Sequence, residues 1–311
     1  MEKTVKKNRL SKRKVGERIF WWSILLLPLI QFCIFYIVKN FNSILLAFQD
    51  IEMSLDGSGY KYSWVGFANF KATINALFNE PELVASFGNS LLAYAVGLIA
   101  GTGLALLFTY YIYKKQFFSG VFKIILFLPS IISSVAMILM FKYFIENAYP
   151  EVMSKLLGKR VDGLLANPDT VMGTLLFYSV WVGFGGSVLM YLGAMNGINE
   201  SVVEAAYLDG ITPLKEFIFI ILPLIYPTLV TFLVTGLTGI FSNQIGLHAF
   251  FPNGVPESKY YTYGYYMFIH VADGMVEYPY MATMGLLMTM ILAPITFLVR
   301  WALEKFGPSV E

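Results

Sequence analysis

The sequence predicts an all-α integral membrane protein with about six transmembrane helices. Three observations carry this. Hydrophobic residues make up 57% of the 311 positions and charged residues only 14%, against roughly 45–50% and 25% in soluble domains. The mean hydropathy is +0.64. The apolar residues are gathered into six runs of about 20 residues or more, the length a helix needs to cross roughly 30 Å of hydrocarbon. A soluble protein of this length needs more charge to wet its surface. An ordinary soluble enzyme, a disordered chain and a fibrous repeat are therefore excluded.

Residues 1–18 form a basic tail. It holds Lys3, Lys6, Lys7, Arg9, Lys12, Arg13, Lys14 and Arg18, opposed only by Glu2 and Glu17. The tail is net +6 and the whole chain +2, which leaves −4 elsewhere. No folded basic face accompanies it, so nucleic acid is not the expected partner. Directly before an apolar run, such a tail orients the protein with its N-terminus inside and contacts anionic membrane lipid.

The first run is Ile19–Val38. It is longer than the roughly 7–15 residues of a signal-peptide core, and Lys39-Asn40-Phe41-Asn42 follows it where a small-residue cleavage site belongs. It reads as a retained span. Cys33, the one cysteine, lies within it and reads as a free buried thiol. With only His248 and His270 elsewhere, neither an intrachain disulfide nor a zinc site of Cys and His is available.

The later runs are Phe87–Tyr110, Val121–Phe141, Val171–Leu192, Phe217–Phe241 and Met281–Leu303. Lys123, Lys142 and Arg300 sit at run ends, where long cationic side chains snorkel to the interface. Gly97 and Gly101, with Gly103 nearby, are spaced for close helix contact. Pro28, Pro129, Pro223, Pro227 and Pro294 are positioned to kink their helices. The span interiors carry essentially no ionisable side chain. That argues against a proton-driven carrier and a charge-ring channel. A sodium site of backbone and hydroxyl oxygens stays open. No nucleophile–base pair or metal spacing appears, so an enzyme is not expected. No G-x-x-x-x-G-K-[ST] motif occurs either, so the chain does not bind ATP through a P-loop, and transport powered by ATP needs another subunit to supply it.

Six spans, together 19–303, return the C-terminal tail 304–311 to the same side as the N-terminus. Fourteen of the 22 Lys and Arg then lie inside and eight outside, in agreement with the positive-inside rule. The outside segments are 40–86, 143–170 and 242–280. None is long enough for a large separate domain. They contain turn formers, Asp56-Gly57-Ser58-Gly59 and Asn253-Gly254, and many aromatics. Tyr260, Tyr261, Tyr263, Tyr265 and Tyr266 read as an interfacial belt.

The inside loop 193–216 is unusual. It is acidic, with Glu200, Glu204, Asp209 and Glu216 against Lys215. Ser201 and Glu204 form an S-x-x-E capping box that opens a short helix. Gly210 ends it, as the residue free to take positive φ. Thr212 then caps a second helix with Pro213 in its first turn. Two well-specified helices exceed what a plain connector needs. The face made by Val203, Ala206 and Tyr207 would be exposed unless a partner protein covered it.

The loop also carries a longer pattern. Glu204-Ala205-Ala206, three residues, Gly210, nine residues, then Ile220-x-Leu222-Pro223 resembles the EAA signature of ATP-binding-cassette importer permeases. Tyr191-Leu192-Gly193-Ala194-Met195, Leu126-Phe127-Leu128-Pro129-Ser130 and Val65-Gly66-Phe67-Ala68-Asn69-Phe70 are similar to the carbohydrate-uptake branch, which includes the maltose and glycerol-3-phosphate permeases. The resemblance spans about 19–303, without the large extracytoplasmic insertion of the maltose permease.

The resemblance implies a type I importer permease in a prokaryotic cell membrane, with both termini cytoplasmic. It implies a second homologous permease, a dimeric cytoplasmic ATPase that binds the ATP and magnesium, and an extracytoplasmic solute-binding protein. This chain itself then needs no cofactor. Glu204, Ala205, Ala206, Asp209, Gly210, Leu222 and Pro223 become the ATPase-coupling residues. Glu204 would meet a charged or N–H donor on the ATPase, the two alanines would allow close approach, and Gly210 would hold the turn. The substrate path would use Tyr178, Trp181, Ser187 and Tyr191 of the fourth span, with Ser242, Asn243 and Gln244 after the fifth. Aromatic faces with amide and hydroxyl groups suit a neutral sugar. The alternatives are an ion-coupled carrier acting alone and a membrane scaffold that recruits a partner through this loop.

Overall fold

The computed structural model describes residues 2–54, 59–251 and 256–308, with side chains from residue 14 onward. The turn formers Asp56-Gly57-Ser58 and Asn253-Gly254 lie outside the described residues, as do the side chains of the basic tail up to residue 13.

Among the described residues, four helices are long and apolar enough to cross a membrane: α1 (Lys14–Leu46), α3 (Pro81–Tyr113), α6 (Pro168–Asn196) and α12 (Met275–Phe306). Between them come the strands β1 (Gln49–Met53) and β2 (Tyr60–Trp64), then α2 (Ala68–Asn79), α7 (Glu200–Leu208), the short α10 (Leu247–Phe250) and α11 (Tyr263–Asp273). The remaining two expected spans are bent pairs. α4 (Ser119–Ile131) and α5 (Ser134–Leu157) meet at 103°, and α8 (Pro213–Leu224) and α9 (Tyr226–Thr238) at 71°. Straight spans over 121–141 and 217–241 are thus corrected to broken ones.

The breaks have backbone causes. Pro129 weakens the last turn of α4. Ile132 and Ser133 are then extended, with ψ of 143° and 130°. Ile225 sits between Pro223 and Pro227 with ψ near 4°. Pro227 has no N–H to offer the Pro223 carbonyl, so the helical ladder stops there.

The chain folds as two compact units. The first is Met1–Thr73 with Asp273–Leu286. In it β1 and β2 pair antiparallel, from Gln49 opposite Trp64 to Met53 opposite Tyr60. This hairpin is the one sheet among the described residues. Phe48 stacks on Trp64 at 5.7 Å and tilts against Phe70 at 5.2 Å. The Asn69 amide donates to the carbonyls of Ala47 and Gln49, at 3.2 and 2.7 Å. Every residue of α1 from Lys14 to Ile44 is exposed, Cys33 included. The buried reading of Cys33 is therefore corrected. A helix apolar all round and bare of protein is stable only in hydrocarbon or against another apolar surface.

The second unit is Ile74–Ala272 with Leu287–Glu311. Its core joins Ala105, Leu106 and Ile112 of α3 to Phe184, Val188, Tyr191, Leu192 and Met195 of α6. Phe217 and Ile221 of α8 close the cluster. Gly97 and Gly101 are not its tight seam, since a Cβ on either would meet nothing within 4 Å. The close approach is at Gly185, where a Cβ would overlap the Leu126 carbonyl oxygen of α4.

The tyrosines of 260–266 are core residues, not a lipid-facing belt. Tyr263 is 0% exposed, and its N–H donates to Ser90 Oγ at 2.8 Å. The Asn89 amide donates to the Lys259 and Tyr261 carbonyls, at 2.7 and 2.8 Å. Tyr260 donates its hydroxyl proton to the Pro168 carbonyl at 2.8 Å. All five rings are buried in protein and the Tyr260 hydroxyl has a protein acceptor, so they do not sit at a water interface. Lys142 likewise does not snorkel. Its ammonium donates to the Phe250 carbonyl at 2.6 Å.

Candidate functional site

The segment 197–216 is rigid for reasons written in its backbone. α6 ends at Asn196, and Asn199 is the N-cap of α7, its Oδ1 accepting the Ser201 N–H at 3.1 Å. The expected Ser201–Glu204 capping box is corrected. Asn199 caps as well as serine does, and its position two residues earlier places Ser201 inside the first turn. Glu204 lies mid-helix, exposed, with no capping duty.

The other end of α7 is as expected. Gly210 has φ +69°. The Gly210 N–H donates to Tyr207 O at 3.0 Å and the Ile211 N–H to Ala206 O at 3.2 Å. These are the two bonds of a Schellman turn, which needs a left-handed residue at this position. Thr212 follows extended, ψ 151°, and Pro213 opens α8. The Thr212 side chain makes no capping bond.

Glu204, Ala205 and Asp209 are exposed and Ala206 is buried. The apolar face differs from the expected one. Val203 and Ala206 turn inward, whereas Tyr207 is 78% and Leu208 86% exposed. Val203, Glu204, Tyr207, Leu208 and Lys114 line a shallow concavity of about 400 Å³. Leu222 and Pro223 are distant in role. They are half-buried, just before the bend at Ile225.

The loop is tied to α3. Lys114 donates to both carboxylate oxygens of Glu216, at 3.0 and 3.1 Å. Tyr110 donates its hydroxyl proton to the Pro213 carbonyl at 2.9 Å. Glu216 is thus a buried, paired acid, unlike Glu200, Glu204 and Asp209. Nothing in the sequence distinguished it from its neighbours, because its partner lies 102 positions away.

A second cavity of about 400 Å³ opens beside the middle of α3. Its wall includes Tyr94, Gly97 and Thr102 of α3, Ser179 of α6, Gly236 of α9 and, beyond it, Ser242 and Asn243. Gly236 leaves room for the Tyr94 ring, whose Cε2 would stand 3.3 Å from a Cβ there. Asn243 Oδ1 accepts the Ile245 N–H at 2.8 Å, which leaves the amide NH2 as its donor. No charged side chain is among the described lining residues.

Of the seven expected path residues, Ser242 and Asn243 line this cavity. Gln244 is next to Asn243 in sequence and half-buried. Tyr178 packs between Phe141 and Phe250, at 5.1 and 5.0 Å. Tyr191 is 1% exposed and packs on Phe232 at 5.0 Å. Ser187 is half-buried on α6. Trp181 lines a separate apolar hollow of about 350 Å³ with Met137, Met140, Phe141, Phe144 and Phe177. Tyr94, Thr102 and Ser179 were not expected. The available signal was a hydroxyl inside an otherwise apolar run.

Comparison with known proteins places this arrangement. Residues 93–311 match the model of the family described as binding-protein-dependent transport system inner membrane component. The multiple sugar-binding transport system permease protein MsmF of Streptococcus mutans is 26% identical, over 70% of this chain and 72% of its own. The lactose transport system permease protein LacF of Rhizobium radiobacter is 23% identical, over 74% and 78%. Protein LplB of Bacillus subtilis is 24% identical, over 93% and 90%. The fold matches a bacterial ABC transporter that imports the acidic polysaccharide alginate, with a TM-score of 0.77 at 20% identity, covering 94% of this chain and 98% of that one. The matched family segment contains α7, its glycine turn and the cavity beside α3, and on that match this chain belongs to the family of inner membrane components of binding-protein-dependent transport systems.

Proposed function

We propose that this chain forms half of the translocation path of a carbohydrate importer and that α7 is its coupling helix. A second homologous permease completes the path, and an extracytoplasmic solute-binding protein delivers the cargo. A cytoplasmic ATP-binding-cassette ATPase dimer binds the ATP and magnesium and receives α7. The 14 Lys and Arg assigned inside, eight of them in the first 18 residues, support cytoplasmic termini.

The observation that carries the coupling reading is the exposed side of α7. Glu204, Tyr207 and Leu208 stand free on a helix held by Asn199 at one end and Gly210 at the other. Glu204 supplies a charge for a basic or N–H partner, and Tyr207 and Leu208 supply apolar area. ATP-driven closure of the ATPase then shifts α7 and the helices joined to it, and the path alternates between two states.

The cavity beside α3 supports a neutral cargo. Tyr94 offers a ring face, and Thr102, Ser179, Ser242 and Asn243 offer hydrogen bonds without charge. The relatives named for lactose, arabinooligosaccharides and multiple sugars agree with this class.

The test is affinity purification of the tagged chain from native membranes. The wild type is expected to retain an ATPase subunit. Glu204→Lys should lose most of it, and Glu204→Ala should weaken retention. Neither change removes a cap, and alanine favours the helix, so a loss reports docking. Full retention by Glu204→Lys refutes the coupling role.

A further inference from the structure

The loop that carries α7 is tied by side chains to a span remote in sequence. Glu216 is buried in the first turn of α8, its side chain 8% exposed. Lys114, the C-cap residue of α3, grips both its oxygens. One turn earlier Tyr110 bonds the Pro213 carbonyl and lays its ring against Phe217, 4.9 Å between centroids. So α3 holds both the backbone and the side chains of the turn that follows α7.

A buried ion pair adds little stability over apolar residues of the same shape, because desolvation offsets the attraction. Its strength lies in geometry. The ammonium tethers the first turn of α8 to the end of α3, and the Tyr110 hydrogen bond and ring contact orient it. Lys215, the adjacent cation, is exposed on another face and cannot substitute. α3 is also the helix that supplies Tyr94, Gly97 and Thr102 to the cavity. The pair therefore joins the start of α8, just after α7, to the helix that carries part of the cavity wall, by a link that is not covalent.

We propose that Lys114 and Glu216 are positioning residues that transmit movement of the coupling helix to α3. This rests on the docking role of α7 proposed above. The two residues touch neither cargo nor ATP. They lock α3 to the start of α8 so that the two move as one body when the ATPase closes.

The experiment uses the complete importer in nanodiscs in a Cys33→Ser background. One spin-label pair, at Leu91→Cys on α3 and Leu298→Cys on α12, follows α3. A second, at Phe219→Cys on α8 and Leu298→Cys, follows α8. Distances are compared without nucleotide and after trapping with Mg–ATP and vanadate. With the native ion pair, both distances should change on trapping. In the double variant Lys114→Met with Glu216→Met, no buried charge is left unpaired, and since Lys114 also lines the concavity beside α7, retention of the ATPase is measured by co-purification before the distances are compared. The α8 distance should still change, while the α3 change should fall by at least half. The reversed pair, Lys114→Glu with Glu216→Lys, should restore it. An undiminished α3 change in the double methionine variant overturns the link. So does an α3 distance that never changes while the α8 distance does. If α8 does not respond to trapping with the native pair, the docking role of α7 is what fails. Misassembly of the methionine variant with rescue by the reversed pair would assign the pair to assembly and overturn transmission.

Discussion

Replacing Gly210 with valine isolates a backbone term, because nothing lies within 4 Å of a Cβ placed there. The side chain would meet open space, so the whole penalty is the left-handed backbone at φ +69°. For an L residue that costs about 1–2 kcal/mol, and a β-branched residue sits at the upper end. Two bonds depend on the turn, Gly210 N–H to Tyr207 O at 3.0 Å and Ile211 N–H to Ala206 O at 3.2 Å. A penalty near 2 kcal/mol raises the open population of the turn by roughly 30-fold. Hydrogen exchange of the Ile211 amide in the solubilised complex reads that population directly. The expected order of protection is glycine, then asparagine, then alanine, then valine, since asparagine tolerates the left-handed region. Uptake per ATP hydrolysed should fall in the same order while the chain still inserts. Valine with the exchange rate of glycine would refute the turn argument. Valine with a rapid Ile211 amide and normal uptake would instead refute the need for a rigid α7.

Two further outcomes follow from packing and from the cavity. Gly185→Ala drives its methyl into the Leu126 carbonyl oxygen, and overpacking of this kind costs about 1–3 kcal/mol. The melting temperature of the purified complex should drop, whereas Gly97→Ala, in open space, should leave it nearly unchanged. Asn243→Ala removes the amide donor from the cavity wall and also frees the Ile245 N–H. Uptake should show a KM raised several-fold at unchanged assembly, and an unaltered KM would remove Asn243 from the path.

Much of the architecture was legible in the chain. The six apolar runs correspond to four long helices and two bent pairs, because span length is set by bilayer thickness and backbone satisfaction. Gly210 and Pro213 were legible because a helix end needs a residue of one particular backbone freedom. The reading faltered where several residues qualify for one role. Asn199 and Ser201 are both good caps, and only the path of the chain out of α6 selects Asn199. The tyrosines of 260–266 have the composition of an interfacial belt, yet Asn89 and Ser90 of α3 satisfy the backbone around them and draw them inside. Lys142 and Cys33 were misplaced for the same reason: exposure depends on what packs alongside.

Sequence alone determined that this is a multi-span membrane protein with scarce charge, and that one acidic loop holds a stiff helix followed by a glycine turn. Those are local properties, set by hydropathy over about 20 residues and by the φ that a single residue can adopt. Tertiary structure alone decided which of the loop's acids is free and which is bound. Glu204 stands in the open and Glu216 is buried on Lys114, though both are glutamates on short helices of one loop. The difference is a partner about a hundred positions away, brought within 3.0 Å by the packing of α3 against α8. Coulomb attraction at that range depends on distance in space, which sequence spacing does not encode.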